Sequence, residues 1–344
     1  MTEGQSLGEF LAALDATSSA VAGLGDALMA IAEGSKTLEA VISSPEGAGQ
    51  ADIVGENTDG DQQKALDIQA HEIFLDALKD TAIGIIASEE AEHTIAMDNG
   101  GNLALAMDPL DGSSNIETNA PIGTIFSILP VNTASPETSF YRAGDEVIAA
   151  GFVAYGPRTQ LYLTVGSGTQ IFILDRKSGE FVLLKKNIQI TSDTREYAIN
   201  MSNFQHWFNP VRQYIDDCIE GESGVRGKSF NMRWIASLVA DASRIFARGG
   251  IFLYPGDDRE GYKNGRLRLV YEAVPLAMLI EQAGGAASTG SSRILDIVPT
   301  DIHERTPLVF GSNNEVNIVE RLHTSPTPKN DPSPLFGERG LFRA

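Results

Sequence analysis

Cysteine is almost absent from this chain of 344 residues, in which Cys218 stands alone. A single cysteine excludes an intrachain disulfide framework and suits a reducing compartment. The neighbouring acids Asp216, Asp217 and Glu220 disfavour a thiolate, so a nucleophilic role is not expected. We therefore predict a structural role for this side chain.

Long apolar runs are also absent, since no segment approaches the roughly 20 apolar residues that a membrane-spanning helix needs. The first residues carry neither the basic segment nor the apolar stretch of a secretory signal, so a cytoplasmic location is expected. Positive charge is scarce as well: 26 Lys and Arg stand against 46 Asp and Glu, a net charge of −20. This balance argues against nucleic acid or an anionic membrane as a partner, and a phosphate ligand would need local cations or metal ions.

The remaining composition, 42% hydrophobic and 21% charged, is typical of a soluble globular enzyme with one large domain or two subdomains. Apolar spacing predicts helices, which are expected over residues 7–43, 64–80, 210–220, 233–247, 275–283 and 314–323. Apolar runs between turn residues predict strands, which are expected over residues 83–88, 103–107, 249–255 and 266–272, with an antiparallel meander over 147–190. Residues 44–63 are expected to form a mobile loop, and the proline-rich tail from Thr324 an irregular segment.

The segment Met107–Asn115, MDPLDGSSN, is the most informative part of the chain. It places the carboxylates of Asp108 and Asp111 three residues apart after an apolar run that predicts a short buried strand ending in a turn. Pro109 stiffens the turn, and Gly112 lets the backbone approach a ligand closely. The two serines that follow offer donors at a possible helix start, where an anion is stabilised. The segment could be an ordinary turn with a helix cap, but carboxylates beside anion donors suit a divalent metal bridging to phosphate.

Further acids lie at strand ends or at a helix start, namely Glu89, Glu90, Glu272, Asp61 and Asp67. Any one of them alone would be an ordinary surface residue. Because ligands collect beyond the carboxyl ends of strands in open sheets, these acids could share one cavity. Carboxylates so close together repel one another unless cations lie between them, which predicts a site for two or three Mg²⁺ ions. A second, basic and aromatic set could grip phosphate, and it comprises Arg233, Trp234, Tyr254, Lys263, Arg266 and Arg268.

With these residues assembled, the chain resembles a class I fructose-1,6-bisphosphatase from about residue 60 to residue 323. The motifs that carry the resemblance are GDQQKALD at 60–67, SEE at 88–90, DPLDGSSN at 108–115, GTIFSI at 123–128, VAD at 239–241, GGIFLYP at 249–255 and VYE at 270–272. The resemblance implies a five-layer α-β-α-β-α fold. It also implies an N-terminal subdomain over residues 1–185, a substrate-binding subdomain over 186–323 and a tail over 324–344. The activity it implies is hydrolysis of the 1-phosphate of fructose 1,6-bisphosphate.

The resemblance also assigns site residues. The implied metal ligands are Glu89, Asp108, the Leu110 carbonyl, Asp111 and Glu272, with Asp61 near a third metal. Asp67 and Glu90 match the pair that orients and deprotonates the attacking water. The implied substrate contacts are Asp111, Gly112, Ser113, Ser114, Asn200, Tyr254 and Arg266, with Arg233 reaching into a neighbouring subunit. An oligomer, usually a tetramer, follows from that arginine.

The chain departs from the family pattern at the sugar end and at the nucleotide-regulated end. Arg266 stands where Lys is common, Trp234 where Tyr is common, and Phe204 near an expected Tyr. A looser 6-phosphate end would admit sedoheptulose 1,7-bisphosphate. The positions that grip AMP in inhibited members carry Asn102, Leu103 and Pro130, so weak or absent AMP inhibition is expected.

The sequence is compatible with several alternative functions. A sedoheptulose bisphosphatase or a dual-specificity enzyme is the main alternative. An inositol or nucleotide phosphatase on the same scaffold is less favoured, because GGIFLYP and Arg233 argue against it. A catalytically inactive homologue would have lost an acid, and every acid named above is present. The metal (Mg²⁺ or Mn²⁺), the pathway (gluconeogenesis or the Calvin cycle) and the choice of dimer or tetramer are left undecided.

Overall fold

The computed structural model describes residues 4–15, 21–44, 53–56 and 62–325. Within these ranges the helices are α1 (Leu7–Asp15), α2 (Leu24–Ile42), α3 (Ala65–Leu78), α4 (Asn209–Ile219), α5 (Leu238–Arg248), α6 (Val274–Gln282) and α7 (Asn313–Thr324). The strands before residue 190 are β1 (Ile53–Glu56), β2 (Gln62–Lys64), β3 (Ile83–Ser88), β4 (Ile95–Ala96), β5 (Leu103–Asp111), β6 (Ile122–Pro130), β7 (Ala149–Tyr155), β8 (Gln160–Thr164), β9 (Thr169–Asp175) and β10 (Glu180–Lys185). The later strands are β11 (Glu196–Ala198), β12 (Asn231–Met232), β13 (Ile251–Tyr254), β14 (Leu267–Arg268), β15 (Ala286–Ser288), β16 (Arg305–Thr306) and β17 (Leu308–Gly311). No helix in these ranges is long and apolar enough to cross a bilayer.

An eight-stranded sheet in the order β10-β9-β8-β7-β6-β5-β3-β4 forms the N-terminal half. Only β3 and β5 pair in parallel among its described neighbours, and β7 to β10 form the predicted antiparallel meander. Strand β5 is buried along its whole length because both faces are covered. Leu103, Leu105 and Met107 pack into the cluster under α1 to α3, whereas Ala104 and Ala106 join the cluster under α5 and α6.

A five-stranded sheet in the order β12-β11-β13-β17-β15 forms the C-terminal half. Phe252 and Phe310 face α5 and α6, in the same cluster as one face of the larger sheet. Leu253 and Val309 face the opposite way, toward α4 and α7. The order of layers is therefore helix, sheet, helix, sheet, helix, and the expected α-β-α-β-α fold is confirmed.

Several local predictions were wrong. The predicted loop over 44–63 contains the two-stranded sheet of β1 and β2. The prediction that residues 7–43 are mostly helical agrees with α1 and α2, and α2 begins after Gly23, whose φ is 81°. The helix expected from residue 233 begins only at Leu238, after Ser237 accepts a hydrogen bond from the Ala240 N–H as its N-cap. The last helix reaches Thr324, and the rest of the proline-rich tail, residues 326–344, lies outside the described residues.

The strand predicted over residues 266–272 was also wrong for most of its length. Only Leu267 and Arg268 are extended, and a π-helical turn over Leu269–Ala273 leads directly into α6. A continuous apolar run cannot distinguish a buried strand from a buried helix by periodicity, and this run is buried on all sides. Pro275, near the start of α6, is compatible with a helix because the first turn needs no N–H donor from it.

Gly123 on β6 decides how closely α5 approaches the larger sheet. A Cβ added there would lie 2.7 Å from both Val239 γ-carbons and 2.4 Å from the Val153 carbonyl oxygen. No such contact can persist without movement of a strand or of the helix. The lack of a side chain at Gly123 therefore allows the N-terminus of α5 to lie this close to β6.

We predict that Gly123→Ala lowers the free energy of unfolding by about 1–3 kcal/mol, the usual range for overpacking a buried site. The urea midpoint should fall, and activity should fall with it because α5 is displaced. Gly156→Ala is the matched control, since its nearest contact would be an ordinary 3.5 Å from Pro121. Equal midpoints for the two variants would contradict this account of α5.

Cys218 lies on the buried face of α4, 2% exposed. Burial raises the pKa of its thiol to about 12, although the Arg226 guanidinium, 3.8 Å from the sulfur, opposes that rise. We predict that iodoacetamide modifies the folded protein at pH 8 at least roughly 100-fold more slowly than the urea-unfolded chain, because the folded thiol is neutral and covered. Equal alkylation rates, followed by mass spectrometry, would show that this thiol is reactive in the folded state.

Candidate active site

Asp108 and Asp111 face the same site because β5 contains a bulge. Asp108 is opposite Ile125 and Asp111 is opposite Gly123, so three steps along β5 match two steps along β6. In a regular strand, residues three apart point to opposite faces, and the extra residue cancels that alternation. The predicted turn after Met107 is therefore wrong: the strand continues to Asp111, and the chain leaves it at Gly112, whose φ is 81°.

Hydrogen bonds hold the bulge in place. The hydroxyl of Thr124 donates to the Pro109 carbonyl over 2.9 Å and lies 2.8 Å from the Tyr155 hydroxyl. The Leu110 N–H donates to the Asp108 carboxylate over 2.9 Å. Because Thr124 is fully buried and Tyr155 nearly so, the backbone between the two acids is tied to the core of the sheet.

Glu89 and Glu90 come to the same edge because β3 runs parallel to β5. Ser88 is opposite Met107, and the Glu89 N–H donates to the Met107 carbonyl over 3.2 Å. Parallel strands end at the same edge of a sheet, so the residues that follow them meet there. Glu89 and Glu90 thus follow the end of β3 beside β5, as predicted.

Glu272 reaches the acids from the π-helical turn before α6, and not from a strand end as predicted. Its side chain is 6% exposed, and its carboxylate accepts a hydrogen bond from the Arg268 N–H. Ligand oxygens of Asp108, Asp111 and Glu272 all lie within 4.8 Å of one another. The Arg268 guanidinium, 2% exposed as a residue, lies nearby with Nε 3.7 Å from Glu89 Oε1.

This proximity is electrostatically unfavourable for the protein alone. Burial raises the pKa of Asp108 well above its ordinary value, and Glu89, Asp111 and Glu272 raise it further. Burial and Glu89 likewise raise the pKa of Glu272. Burial raises the pKa of Asp111 to about 7 in spite of the hydrogen bond that its carboxylate accepts from the Val239 N–H. Fully ionised, these groups require positive charge between them.

The donor set fits a hard divalent cation. Every side chain in the cluster offers carboxylate oxygen, the ligand that Mg²⁺ and Mn²⁺ prefer, and no thiol or imidazole belongs to the cluster of three. The buried negative charge supplies the reason for a cation to bind there.

Anion donors lie beside the acids. Ser113–Asn115 form a 3₁₀ turn directly after Gly112. Helix α5 begins at the same site, since its Val239 N–H donates a hydrogen bond to the Asp111 carboxylate. The Asn115 side-chain amide donates to the Ala236 carbonyl over 2.8 Å, which ties the turn to the segment before α5. Such a pair of turns can bind phosphate oxygens.

Asp67 lies in the first turn of α3 and is 3% exposed. One helical turn later, His71 Nδ1 lies 2.9 Å from the Ser88 hydroxyl, which accepts a hydrogen bond from the Glu90 N–H over 3.3 Å. Burial lowers the pKa of His71, which favours the neutral ring. Sequence reasoning missed His71 and Ser88 as links between the two predicted water-activating acids, although the i,i+4 spacing of Asp67 and His71 was a usable signal.

One cavity of about 490 Å³ connects the acids to a sugar-sized space. The sequence-predicted residues that line it are Asp67, Glu89, Glu90, Asp108, Leu110, Asp111, Gly112, Ser113, Ser114, Asn200, Trp234, Tyr254, Arg266, Arg268 and Glu272, whereas Lys263 of the predicted basic set does not. Residues not assigned a role in advance also line it, among them Ala236, Ser237, Leu238 and Phe252. Asp61 lies outside the described residues.

Aromatic rings form the wall of the cavity away from the acids. Trp234 stacks on Phe252 at 5.6 Å between ring centroids and lies 6.3 Å from Tyr254. Arg233 does not line this cavity; its side chain is 54% exposed and lies 3.9 Å from Glu196. Arg233 and Trp234 precede α5 in an irregular segment and do not open a helix, because the helix begins only after the Ser237 cap.

Arg142, to which no role was assigned in advance, lies beside one of the positions expected to grip AMP. Arg142 donates to the carbonyls of Pro130 and Ser139, and it pairs with Glu146 over 3.1 Å. The Asn102 amide donates to the Ala22 carbonyl over 3.5 Å. The Arg142 guanidinium is therefore engaged with protein oxygens, and weak or absent AMP inhibition stays a prediction.

Comparison with known proteins agrees with this geometry. Residues 6–186 match the family model described as the N-terminal domain of fructose-1-6-bisphosphatase, and residues 190–324 match its C-terminal domain. The chain is 48% identical over 347 residues to the class 1 fructose-1,6-bisphosphatase of Rhodopseudomonas palustris (strain TIE-1), covering 100% of each chain. It is 53% identical over 293 residues to that of Sinorhizobium medicae, covering 84% of each.

A solved structure of the same family has a similar fold. The holo form of Leishmania major fructose-1,6-bisphosphatase superposes with a TM-score of 0.86 at 32% identity, over 93% of this chain and 99% of that one. Both family models and the relatives of about 50% sequence identity therefore belong to the same group of phosphatases. The chain belongs to the class I fructose-1,6-bisphosphatase family.

Proposed function

We propose that the protein hydrolyses the 1-phosphate of D-fructose 1,6-bisphosphate to fructose 6-phosphate and phosphate in a Mg²⁺-dependent reaction. The observation that carries this proposal is the single cavity in which clustered acids, the turn after Gly112, the N-terminus of α5 and a basic aromatic wall meet. The family names of the relatives support the same substrate.

The residues proposed to hold metal are Glu89, Asp108, the Leu110 carbonyl, Asp111 and Glu272, with Asp61 near a third ion. Bound Mg²⁺ would polarise the phosphate and neutralise charge on the attacking and leaving oxygens. The number of ions, two or three, and the use of Mn²⁺ in place of Mg²⁺ are parts of the proposal. Arg268 supplies a fixed positive charge beside Glu89 in addition.

The remaining roles belong to the chain itself. Asp67 and Glu90 orient the attacking water, and one carboxylate of the pair accepts one proton from it. The His71–Ser88 link keeps helix α3 next to the Glu90 backbone. The N–H groups of Gly112 and Ser113 and the Ser114 hydroxyl hold the phosphate that is transferred to water. The sugar oxygen leaves with the electron pair of the broken phosphorus–oxygen bond and takes up one proton from solvent water. Asn200, Tyr254 and Arg266 hold the sugar and its second phosphate.

Arg233 is proposed to act in a neighbouring subunit. Its side chain is largely exposed and outside its own cavity, as that role requires. A homo-oligomer, with a tetramer as the expected form, is therefore part of the proposal. The division into residues 1–185 and 186–323, the cytoplasmic location and service in gluconeogenesis or the Calvin cycle also stay predictions.

Sedoheptulose 1,7-bisphosphate is a second candidate substrate, and Trp234 favours it. The indole ring stacks on Phe252 and carries its one N–H donor at a different place from a tyrosine hydroxyl, so its contact with the second phosphate differs from the one usual in the family. An inositol phosphatase is less well supported, since Tyr254 and Arg266 suit a second charged group. An inactive homologue is disfavoured because every described acid of the predicted set is present in the cavity.

We predict that Asp67→Asn lowers kcat by about 10²–10⁴-fold, the usual contribution of a general base, with KM little changed. Phosphate release should be measured with and without Mg²⁺ on fructose 1,6-bisphosphate, sedoheptulose 1,7-bisphosphate and inositol 1-phosphate. Asp76→Asn is the matched control on the exposed side of the same helix, where Asp76 only pairs with Lys79. Metal-independent turnover, or full activity of the Asp67 variant, would reject the mechanism.

Metal binding has a test that does not depend on turnover. We predict that Asp108→Asn raises the stability of the metal-free protein by roughly 1–3 kcal/mol, because it removes one buried repelling charge. The same change should abolish most of the rise in Tm that Mg²⁺ produces in the unmodified protein. Asp98→Asn, at an exposed position, should leave both quantities unchanged. A Mg²⁺-induced rise of undiminished size in the Asp108 variant would place the metal elsewhere.

A further inference from the structure

The sugar end of the cavity contains a tyrosine to which sequence reasoning assigned no role. Tyr262 lies in the loop between β13 and β14, and two guanidinium groups lie over its ring. The Cζ of Arg259 is 4.1 Å from the ring centroid, and that of Arg266 is 4.9 Å from it. Arg266 Nη1 also donates to the Tyr262 hydroxyl over 2.6 Å. Arg266, which lines the active-site cavity, is thus held by both the ring and the hydroxyl of one residue.

The backbone fixes Tyr262 in turn. Its carbonyl accepts hydrogen bonds from the N–H groups of Asp257 and Gly265, and its own N–H donates to the Arg259 carbonyl. Gly265 has a φ of 77° and is packed so tightly that a Cβ would lie 2.4 Å from the backbone of Thr306 and Pro307. The loop is therefore folded onto its own tyrosine and pressed against the chain next to β16.

The two arginines are not equivalent. Arg259 is paired with the 2%-exposed Asp257, whose two oxygens accept from Nε over 3.0 Å and from Nη2 over 2.5 Å. This pair neutralises its charge locally, so its contact with the ring mainly holds the tyrosine. Arg266, in contrast, is the arginine of the pair that lines the catalytic cavity. Asn200 and Tyr254 line both this cavity and the small adjoining one next to Arg259 and Tyr262.

From this arrangement we propose that Tyr262 is a positioning residue that determines which length of sugar bisphosphate the active site accepts. Held by Tyr262, the Arg266 guanidinium meets the phosphate at the end of the sugar far from the bond that is cleaved. The position of Arg266 relative to the acids sets the separation of the two phosphates that the site accepts, and hence the number of carbons between them. This role rests on the proposed sugar bisphosphatase function and adds the residue that discriminates among its substrates.

The test is Tyr262→Phe, which keeps the ring and removes the hydroxyl, measured on three substrates. For fructose 1,6-bisphosphate we expect kcat/KM to fall about tenfold, mainly through KM, as for the loss of one hydrogen bond to a charged group. For fructose 1-phosphate, which has no second phosphate, kcat/KM should stay within about twofold. The ratio of kcat/KM for sedoheptulose 1,7-bisphosphate to that for fructose 1,6-bisphosphate should rise.

Two further variants separate positioning from general stability. In an Arg266→Ala background, Tyr262→Phe should have no further effect on fructose 1,6-bisphosphate, because the group it positions is gone. Tyr141→Phe, at a tyrosine that lines none of these cavities, is the matched control and should behave as the unmodified enzyme.

The outcomes are distinct. Equal losses on fructose 1-phosphate and fructose 1,6-bisphosphate, or an undiminished effect in the Arg266→Ala background, would overturn the role of Tyr262 and leave the proposed function intact. Absence of turnover of every sugar bisphosphate by the unmodified enzyme would overturn the proposed function, and this inference with it. Loss confined to substrates with a second phosphate, together with a raised ratio of kcat/KM for sedoheptulose 1,7-bisphosphate to that for fructose 1,6-bisphosphate, supports the role of Tyr262. An unchanged ratio would overturn it.

Discussion

The repulsion among buried carboxylates is the constraint on which the rest of this structure depends. Asp108, Asp111 and Glu272 are brought within 4.8 Å of one another with little access to water. Left to themselves, they would move apart or take up protons. They stay because the chain around each one is fixed by other forces: the bulge by Thr124 and Tyr155, and Glu272 by a turn buried in the central layer. The electrostatic repulsion in this arrangement would favour a cation bound among these carboxylates.

The central layer of helices connects the two sheets to this site. Gly123 admits α5 close to β6, so the helix N-terminus reaches Asp111 and the adjacent turn can bind a phosphate. The π-helical turn before α6 brings Glu272 to the same point from the side of the smaller sheet. The cavity thus lies where the larger sheet, the smaller sheet and the helices between them meet. Acids occupy one end of it, and Trp234, Tyr254 and Arg266 the other.

Most of the site could be predicted from the sequence, because several of its acids directly follow apolar runs that are recognisable as buried strands. DPLDGSSN and SEE could be placed at one sheet edge, and the described residues of the predicted set, Arg233 and Lys263 apart, line one cavity. The bulge could not be predicted, because it depends on pairing with β6. The conformation around Glu272 was predicted wrongly because burial on all sides removes periodicity.

Other residues escaped prediction because their roles come from tertiary contacts. The link from His71 to Ser88 joins a helix to a strand 17 residues later. Arg142 contacts the Pro130 carbonyl because the chain after β6 returns toward the end of that strand, and no local sequence pattern indicates this return. Tyr262 lies in a polar loop between glycines, where composition suggests only a turn, and its contacts with two arginines appear only when the loop is closed.

The most direct test of the central claim is anomalous diffraction from crystals of the protein soaked in Mn²⁺. The account predicts strong peaks within coordination distance of Asp108, Asp111 and Glu272, with Glu89 beside them. Peaks confined to surface acids, with these carboxylates bound only to water or to one another, would contradict it.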